Sequence, residues 1–287
     1  GMYENILLPF DGSDGAAAVL HHASEIAHRT DATIHVLFVA DTARESVTVV
    51  EAEVVDTLVQ EGEDIVEEAA KTLDTLGVDY ETDVVQGNPA PTIVDYADSY
   101  DFDLIVMPTH GRKGLSRYLI GSVAEKVVRL ASGPVLTVRM LDDERLQFPY
   151  EDILIPTDGS AGATDAGEHG LALAATLDAT VHILSVVDTG LALGSEMARS
   201  DTEQAATNAV EELEASAKSQ GITNTETYVD RGKPVEVILD HIESDGIDAV
   251  VMGTDGRRGT ERILLGSVAE KTVRSAPVPV LTVRDLE

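Results

Sequence analysis

The glycines of residues 253–267 are spaced in a way that suits phosphate. The segment reads Gly253-Thr254-Asp255-Gly256, then nine residues, then Gly266-Ser267. Glycine admits backbone conformations that let successive N–H groups converge on one centre. The segment runs into a helical pattern, and a helix N-terminus adds unpaired N–H groups and partial positive charge. It is not a P-loop, because no Gly-Lys-Ser/Thr follows at four-residue spacing. It is not the dinucleotide fingerprint either, since Gly-x-Gly is missing.

Positive charge collects in the same place. Arg257, Arg258, Arg262, Lys271 and Arg274 lie within residues 253–274, and Arg112, Lys113, Arg117, Lys126 and Arg129 within 108–129. Ten of the chain's 20 basic residues therefore sit in two short windows of a protein with 52 acids and a net charge of −32. Such a local excess focuses anions. A solvated helix face accounts for Lys126 and Lys271, which stand next to Glu125 and Glu270, but not for the loop arginines. A second candidate group is a pair of aspartates, Asp11 and Asp158, each followed by Gly-Ser. Ser13 and Ser160 are expected to cap the helices that follow. The aspartates fall at the carboxyl end of a strand, where open α/β sheets bind ligands. A carboxylate there can hold a ribose hydroxyl or a Mg²⁺ ion, or simply help to start the helix.

The elements that position these groups occur twice. "ENILLPFDGSD" opens at Glu4 and "EDILIPTDGSA" at Glu151, an offset of 147, while "PVLTVR" ends at Arg139 and again at Arg284, an offset of 145. Gly111–Arg129 and Gly256–Arg274 agree at 13 of 19 positions. The chain is thus a duplication, with a first domain at 2–140, an exposed linker at 141–150 and a second domain at 151–287. Within the first copy, strands are predicted at Ile6–Phe10, Thr33–Ala40, Tyr80–Val85, Asp103–Met107 and Pro134–Arg139, and helices at Asp14–His28, Glu51–Leu76, Ala90–Ser99 and Gly121–Ala131. In the second, strands are predicted at Ile153–Thr157, Thr180–Val187, Glu226–Asp230, Ala249–Met252 and Pro279–Arg284. Its helices are predicted near Ala163–Leu177, Thr202–Gln220, Val235–Ser244 and Ser267–Arg274, with a loop over Asp188–Ser200. Alternating strands and helices imply an α/β fold with a parallel sheet covered on both faces.

Composition narrows the function classes. So acidic a chain has no general attraction to nucleic acid or an anionic membrane. It lacks cysteine, hence disulfides and thiolate metal sites. No signal peptide and no bilayer-spanning run is apparent, so a cytoplasmic location is expected. Only 6 of the 20 basic residues are lysine. An acidic, lysine-poor surface fits a salt-rich cytosol, where screening shortens the range of self-repulsion. No histidine pair has zinc spacing, and no nucleophile–base pattern stands out. His35 and His182 occupy equivalent strand positions and are expected to be packed or surface residues.

The Pro-x-Asp-Gly-Ser openings, the Gly-x2-Gly-x9-Gly-Ser segment and the "PVLTVR" endings together resemble the universal stress protein family, over nearly all of both copies. The resemblance implies a tandem protein of two Rossmann-like (adenine nucleotide alpha hydrolase-like) domains, each a five-stranded parallel sheet in the order 3-2-1-4-5. In the subgroup with the glycine segment it also implies binding of ATP with Mg²⁺. With the acidic composition it suggests a halophilic archaeon as the source. Carried over, Asp158 contacts ribose or metal, and Pro156, Thr157, Val186 and Met252 surround adenine. Gly253, Gly256, Gly266, Ser267 and Val268 hold the phosphates, with Arg257 and Arg258 close by. The first copy offers Pro9, Asp11 (ribose or metal), Val39, Gly111, Arg112, Gly121, Ser122 and Val123. It departs once: Pro108 replaces the first glycine and lacks an N–H.

The leading expectation is a stress-response or regulatory protein that binds ATP, with the intact site in the second copy. One alternative is a slow ATPase or phosphotransferase, although no dedicated catalytic base is evident. Another is an interaction module without nucleotide. The closing strands are expected at sheet edges, which invite pairing, and in the family they pair across dimers. The two copies are therefore expected to form an intramolecular pseudo-dimer and to self-associate further. Repulsion among 52 carboxylates is poorly screened at low ionic strength. Thermal melts should show a midpoint that rises substantially from dilute buffer to molar KCl, and a flat profile would contradict adaptation to salt.

Overall fold

The structure is a computed structural model that describes residues 1–13, 15–42, 52–109, 121–139, 146–189, 195–254 and 266–284, with the backbone alone at 52–54. The chain divides into two compact units, Gly1–Glu144 and Arg145–Glu287.

The first unit contains β1 (Asn5–Pro9), α1 (Ala16–Thr30), β2 (Thr33–Asp41), α2 (Ala52–Leu76), β3 (Tyr80–Gly87), α3 (Pro89–Ser99), β4 (Leu104–Thr109), α4 (Ser122–Leu130) and β5 (Val135–Arg139). The second contains β6 (Asp152–Pro156), α5 (Ala161–Leu177), β7 (Thr180–Asp188), α6 (Glu196–Ser219), β8 (Thr225–Gly232), α7 (Pro234–Ser244), β9 (Ala249–Gly253), α8 (Ser267–Ser275) and β10 (Val280–Val283). Strands run β3-β2-β1-β4-β5 in the first unit and β8-β7-β6-β9-β10 in the second, so each has the order 3-2-1-4-5. Every pairing described within a unit is parallel.

The central strands are buried on both faces. Ile153, Leu154, Ile155, Val250 and Val251 have no exposed surface, and neither do Ile6, Leu7 and Leu8. A carboxylate locks the start of each sheet, buried at Asp248 and partly exposed at Asp103. Asp248, just before β9, accepts from the N–H groups of Glu151 (2.8 Å) and Asp152 (3.1 Å). Asp103 does the same for Glu4 and Asn5 in the first unit. These bonds tie the central strand to the fourth, the pairing at which strand order reverses.

Several expectations change. The helix at Glu196 starts six residues earlier than predicted, because the Ser195 hydroxyl caps it through Ala198 N–H (3.1 Å). The predicted loop over Asp188–Ser200 is correspondingly shorter, and 190–194 lie outside the described residues. Pro89 and Pro234 occupy the first helical positions of α3 and α7, where a missing N–H costs nothing. Ser160 caps α5 as expected, but Ser13 does not cap α1, whose N-cap is Gly15. At the far end of the predicted exposed linker, Tyr150 is buried. His182 is buried between Asp152 (2.8 Å) and Tyr228 (3.2 Å), a packed residue as expected.

Asp248→Ala should strip two part-buried N–H groups of their charged acceptor and cost about 1–3 kcal/mol. Urea unfolding of the full chain checks this, and no shift of the transition would show that the lock contributes nothing.

Candidate functional site

In the second unit, β6 and β9 pair at only two positions, Ile153–Ala249 and Leu154–Val250, and then part. Winding reverses between these strands, and their carboxyl ends open a crevice. The cavity there has a volume of about 380 Å³, within the range typical of small-molecule sites.

Seven elements converge on it. The end of β6 supplies Pro156, Thr157 and Asp158, and Thr157 is held by its N–H donating to Leu184 (2.8 Å). Leu184, Val186 and Asp188 come from alternate positions of β7 and so share one face of the strand. Met252, Gly253 and Thr254 come from the end of β9, and Pro234 and Ile238 from one face of α7. The N-terminus of α8 closes the wall with Gly266, Ser267, Val268 and Ala269, while Ala163 and Thr202 complete the lining.

The lining divides by chemistry. Pro156, Leu184, Val186, Pro234, Ile238 and Met252 form an apolar surface able to sandwich a flat ring. Opposed to it are acceptors and donors. Asp158 accepts Ser160 N–H through Oδ1 (2.9 Å), so Oδ2 is left to face a ligand. The first-turn N–H groups of α8 have no intrahelical acceptor, and among the described residues no side chain caps that helix. Thr254 joins the ends of the glycine segment by accepting Gly266 N–H at 2.6 Å. Its hydroxyl is buried and without a partner among the described residues. This set fits a nucleotide, with a ring for the apolar surface and anionic oxygens for the helix N-terminus. It also fits Mg²⁺: that ion needs only one or two protein carboxylates when phosphates and waters supply the rest, and among the described residues no cluster of three acidic or histidine side chains gathers.

Nine of the residues singled out in the second copy line this cavity: Pro156, Thr157, Asp158, Val186, Met252, Gly253, Gly266, Ser267 and Val268. Gly256, Arg257 and Arg258 lie outside the described residues, as do Gly111 and Arg112. In the first unit, Pro9 is buried at the end of β1, Asp11 is exposed just beyond it, and Val39 is partly exposed on β2. Gly121, Ser122 and Val123 open α4. Sequence reasoning missed Leu184, Asp188, Ala163, Thr202, Pro234, Ile238, Thr254 and Ala269. The first two were within reach, two positions to either side of Val186 on the same strand.

The universal stress protein family matches residues 2–139 and 149–284. The chain belongs to that family, in tandem. A universal stress protein of Methanocaldococcus jannaschii is 36% identical over 141 residues, 48% of this chain and 83% of that protein. One from Mycolicibacterium smegmatis is 28% identical over 214 residues, 74% of this chain and 71% of the relative. The crystal structure of a universal stress protein from Archaeoglobus fulgidus covers 99% of this chain and 98% of its own, with a TM-score of 0.77 and 22% identity, and supports the fold. No helix among the described residues is long and apolar enough to cross a membrane.

One wall of the cavity carries a titratable bridge. His241 lies one turn beyond Ile238 on α7 and bonds Asp230 of β8 (2.5 Å) and Asp245 (2.6 Å), with the Tyr228 ring 4.5 Å away. Burial alone would lower its pKa, but the two carboxylates outweigh burial and raise it above 6.5. The stabilisation is complete below the unfolded value and is lost as pH rises through the higher folded one. The melting midpoint should therefore fall with rising pH over that window. His241→Gln should remove this component of the pH dependence, and an unchanged pH profile in the variant would contradict the bridge.

Proposed function

We propose that the second unit binds ATP with Mg²⁺ and that the protein acts as a regulatory nucleotide-binding member of its family. The observation that carries this reading is the convergence, in one crevice of nucleotide size, of an apolar slot, the Asp158 carboxylate and the uncapped N-terminus of α8. Adenine would lie among Pro156, Val186, Ile238 and Met252. Asp158 would hold the ribose or the metal. The N–H groups of Ser267, Val268 and Ala269 and the Ser267 hydroxyl would take the phosphates, with Gly256, Arg257 and Arg258 on the same side. Bound Mg²⁺ would neutralise phosphate charge.

The chain's own residues favour binding over turnover. The cavity's carboxylates, Asp158 and Asp188, can orient a ligand, and among the described residues no histidine or lysine lines the cavity with them as an acid–base partner. Any hydrolysis would be slow. The first unit, with Pro108 in place of Gly253, would bind more weakly through Asp11, Val39, Gly111, Arg112, Gly121, Ser122 and Val123. We further propose that β5 and β10, edge strands of their own sheets, support the pairing of copies and self-association. A salt-rich cytosol is the setting we infer from the acidic composition.

Titration calorimetry with Mg-ATP in molar KCl tests the site. Asp158→Ala should weaken binding at least tenfold, since losing a charged hydrogen-bond partner costs about 1.5–3 kcal/mol and 1.4 kcal/mol is tenfold. Wild-type affinity in the variant would remove Asp158 from the site.

A further inference from the structure

The helix after the first strand starts at different places in the two units. In the second, α5 starts at Ala161, and the Ser160 hydroxyl caps it by accepting Ala163 N–H at 3.2 Å. In the first, α1 starts at Ala16, the counterpart of Ala163. Two residues are therefore missing from the helix. Gly15 is its N-cap, in the left-handed region at φ 86°, whereas its counterpart Gly162 lies inside α5. The Ser13 hydroxyl, counterpart of the Ser160 cap, is buried without a partner among the described residues. The aspartates are not the cause. Asp11 and Asp158 accept the N–H of Ser13 and Ser160 alike, at 3.0 and 2.9 Å.

The difference lies across the crevice, at the end of the fourth strand. A Cβ placed on Gly253 would stand 2.9 Å from the Gly162 carbonyl oxygen, 3.1 Å from its carbon and 3.3 Å from the Ala163 nitrogen. These are backbone atoms and cannot rotate aside. At the corresponding place the first unit has Pro108, which carries a Cβ. We infer that Gly253 is a positioning residue. Its lack of a side chain seats the first turn of α5 on β9, and that turn, through Ala163, is a wall of the cavity. Pro108 excludes the same turn from the first unit, and the two sites differ through bulk rather than through the missing amide.

The missing amide is the competing explanation. Val250 and Thr254 both donate toward β10, so alternation turns the Gly253 N–H to the opposite side, into the crevice. Proline would remove that donor. Alanine separates the two explanations, because it keeps the N–H and adds only a methyl group.

The test is a set of double-mutant cycles on the full chain, read by the thermal midpoint in molar KCl. Ser160→Ala should lower the midpoint in the wild-type background and add nothing in Gly253→Ala, where the capped turn is already displaced. Ser13→Ala should be silent in the wild type and become costly in Pro108→Gly, where the turn can form. The second arm stands even if Gly253→Ala fails to fold. A Ser160 effect that is undiminished in Gly253→Ala, or a Ser13 effect that stays silent in Pro108→Gly, overturns the inference. The binding consequence rests on the nucleotide reading above. Calorimetry should find Mg-ATP at least tenfold weaker at the second unit in Gly253→Ala, and strengthened at the first by Pro108→Gly but not by Pro108→Ala. Equal gains from Pro108→Gly and Pro108→Ala would assign the difference to the amide and overturn the inference. Coupled cycles with no ATP binding by any variant would leave the helix-start inference standing and defeat the nucleotide reading instead.

Discussion

Everything at the candidate site depends on how soon β6 and β9 stop pairing. Each unit winds outward from its first strand in one direction, then returns to wind in the other. Helices follow both directions, and none can cover the strand ends where the direction changes. After two paired residues the strands part, and the gap between their ends is the cavity. Asp248 holds the opposite ends of the same two strands together through the Glu151 and Asp152 amides. The opening is thus local to the carboxyl ends, and the middles of β6 and β9 beneath it stay buried.

This arrangement explains why so few residue types are needed. A strand end points its last side chains and backbone groups outward, so Thr157 and Asp158 reach the crevice without a dedicated loop. A helix entering from beyond the sheet presents its N-terminus to the same place, as α8 does with Ser267 and Val268. The charge of the chain adds a second constraint. With a net charge of −32, an anion is repelled at long range, so a phosphate site requires local positive potential. Backbone N–H groups at a helix start supply it without a side chain.

Much of this was legible in the sequence because the duplication repeats each signal. The strand order and the nine lining residues from Pro156 to Val268 were implied by the resemblance to the universal stress protein family, whose motifs recur in both copies. What was not legible has identifiable causes. Asp31 ends α1 in the left-handed region, a role usually given to glycine, so that helix runs two residues past the predicted His28. The early start of α6 at Glu196 rests on one serine cap within a stretch rich in small residues. Leu184 and Asp188 share the Val186 face of β7, two positions to either side, and were within reach of that strand's period of two. Ile238 reaches the cavity only through tertiary placement of α7, which no spacing announces. Gly253 was legible as a glycine but not as a contact. Its proximity to Gly162 joins residues about ninety positions apart, and only the three-dimensional structure shows that a methyl group would strike backbone there.

The most direct measurement is a crystal structure grown with ATP and Mg²⁺ in molar KCl. The account predicts nucleotide in the second unit, its base beside Val186 and Met252, its ribose or metal at Asp158 and its phosphates on the amides of Ser267, Val268 and Ala269. Nucleotide bound only in the first unit, or an empty second cavity at saturating ATP, would contradict it.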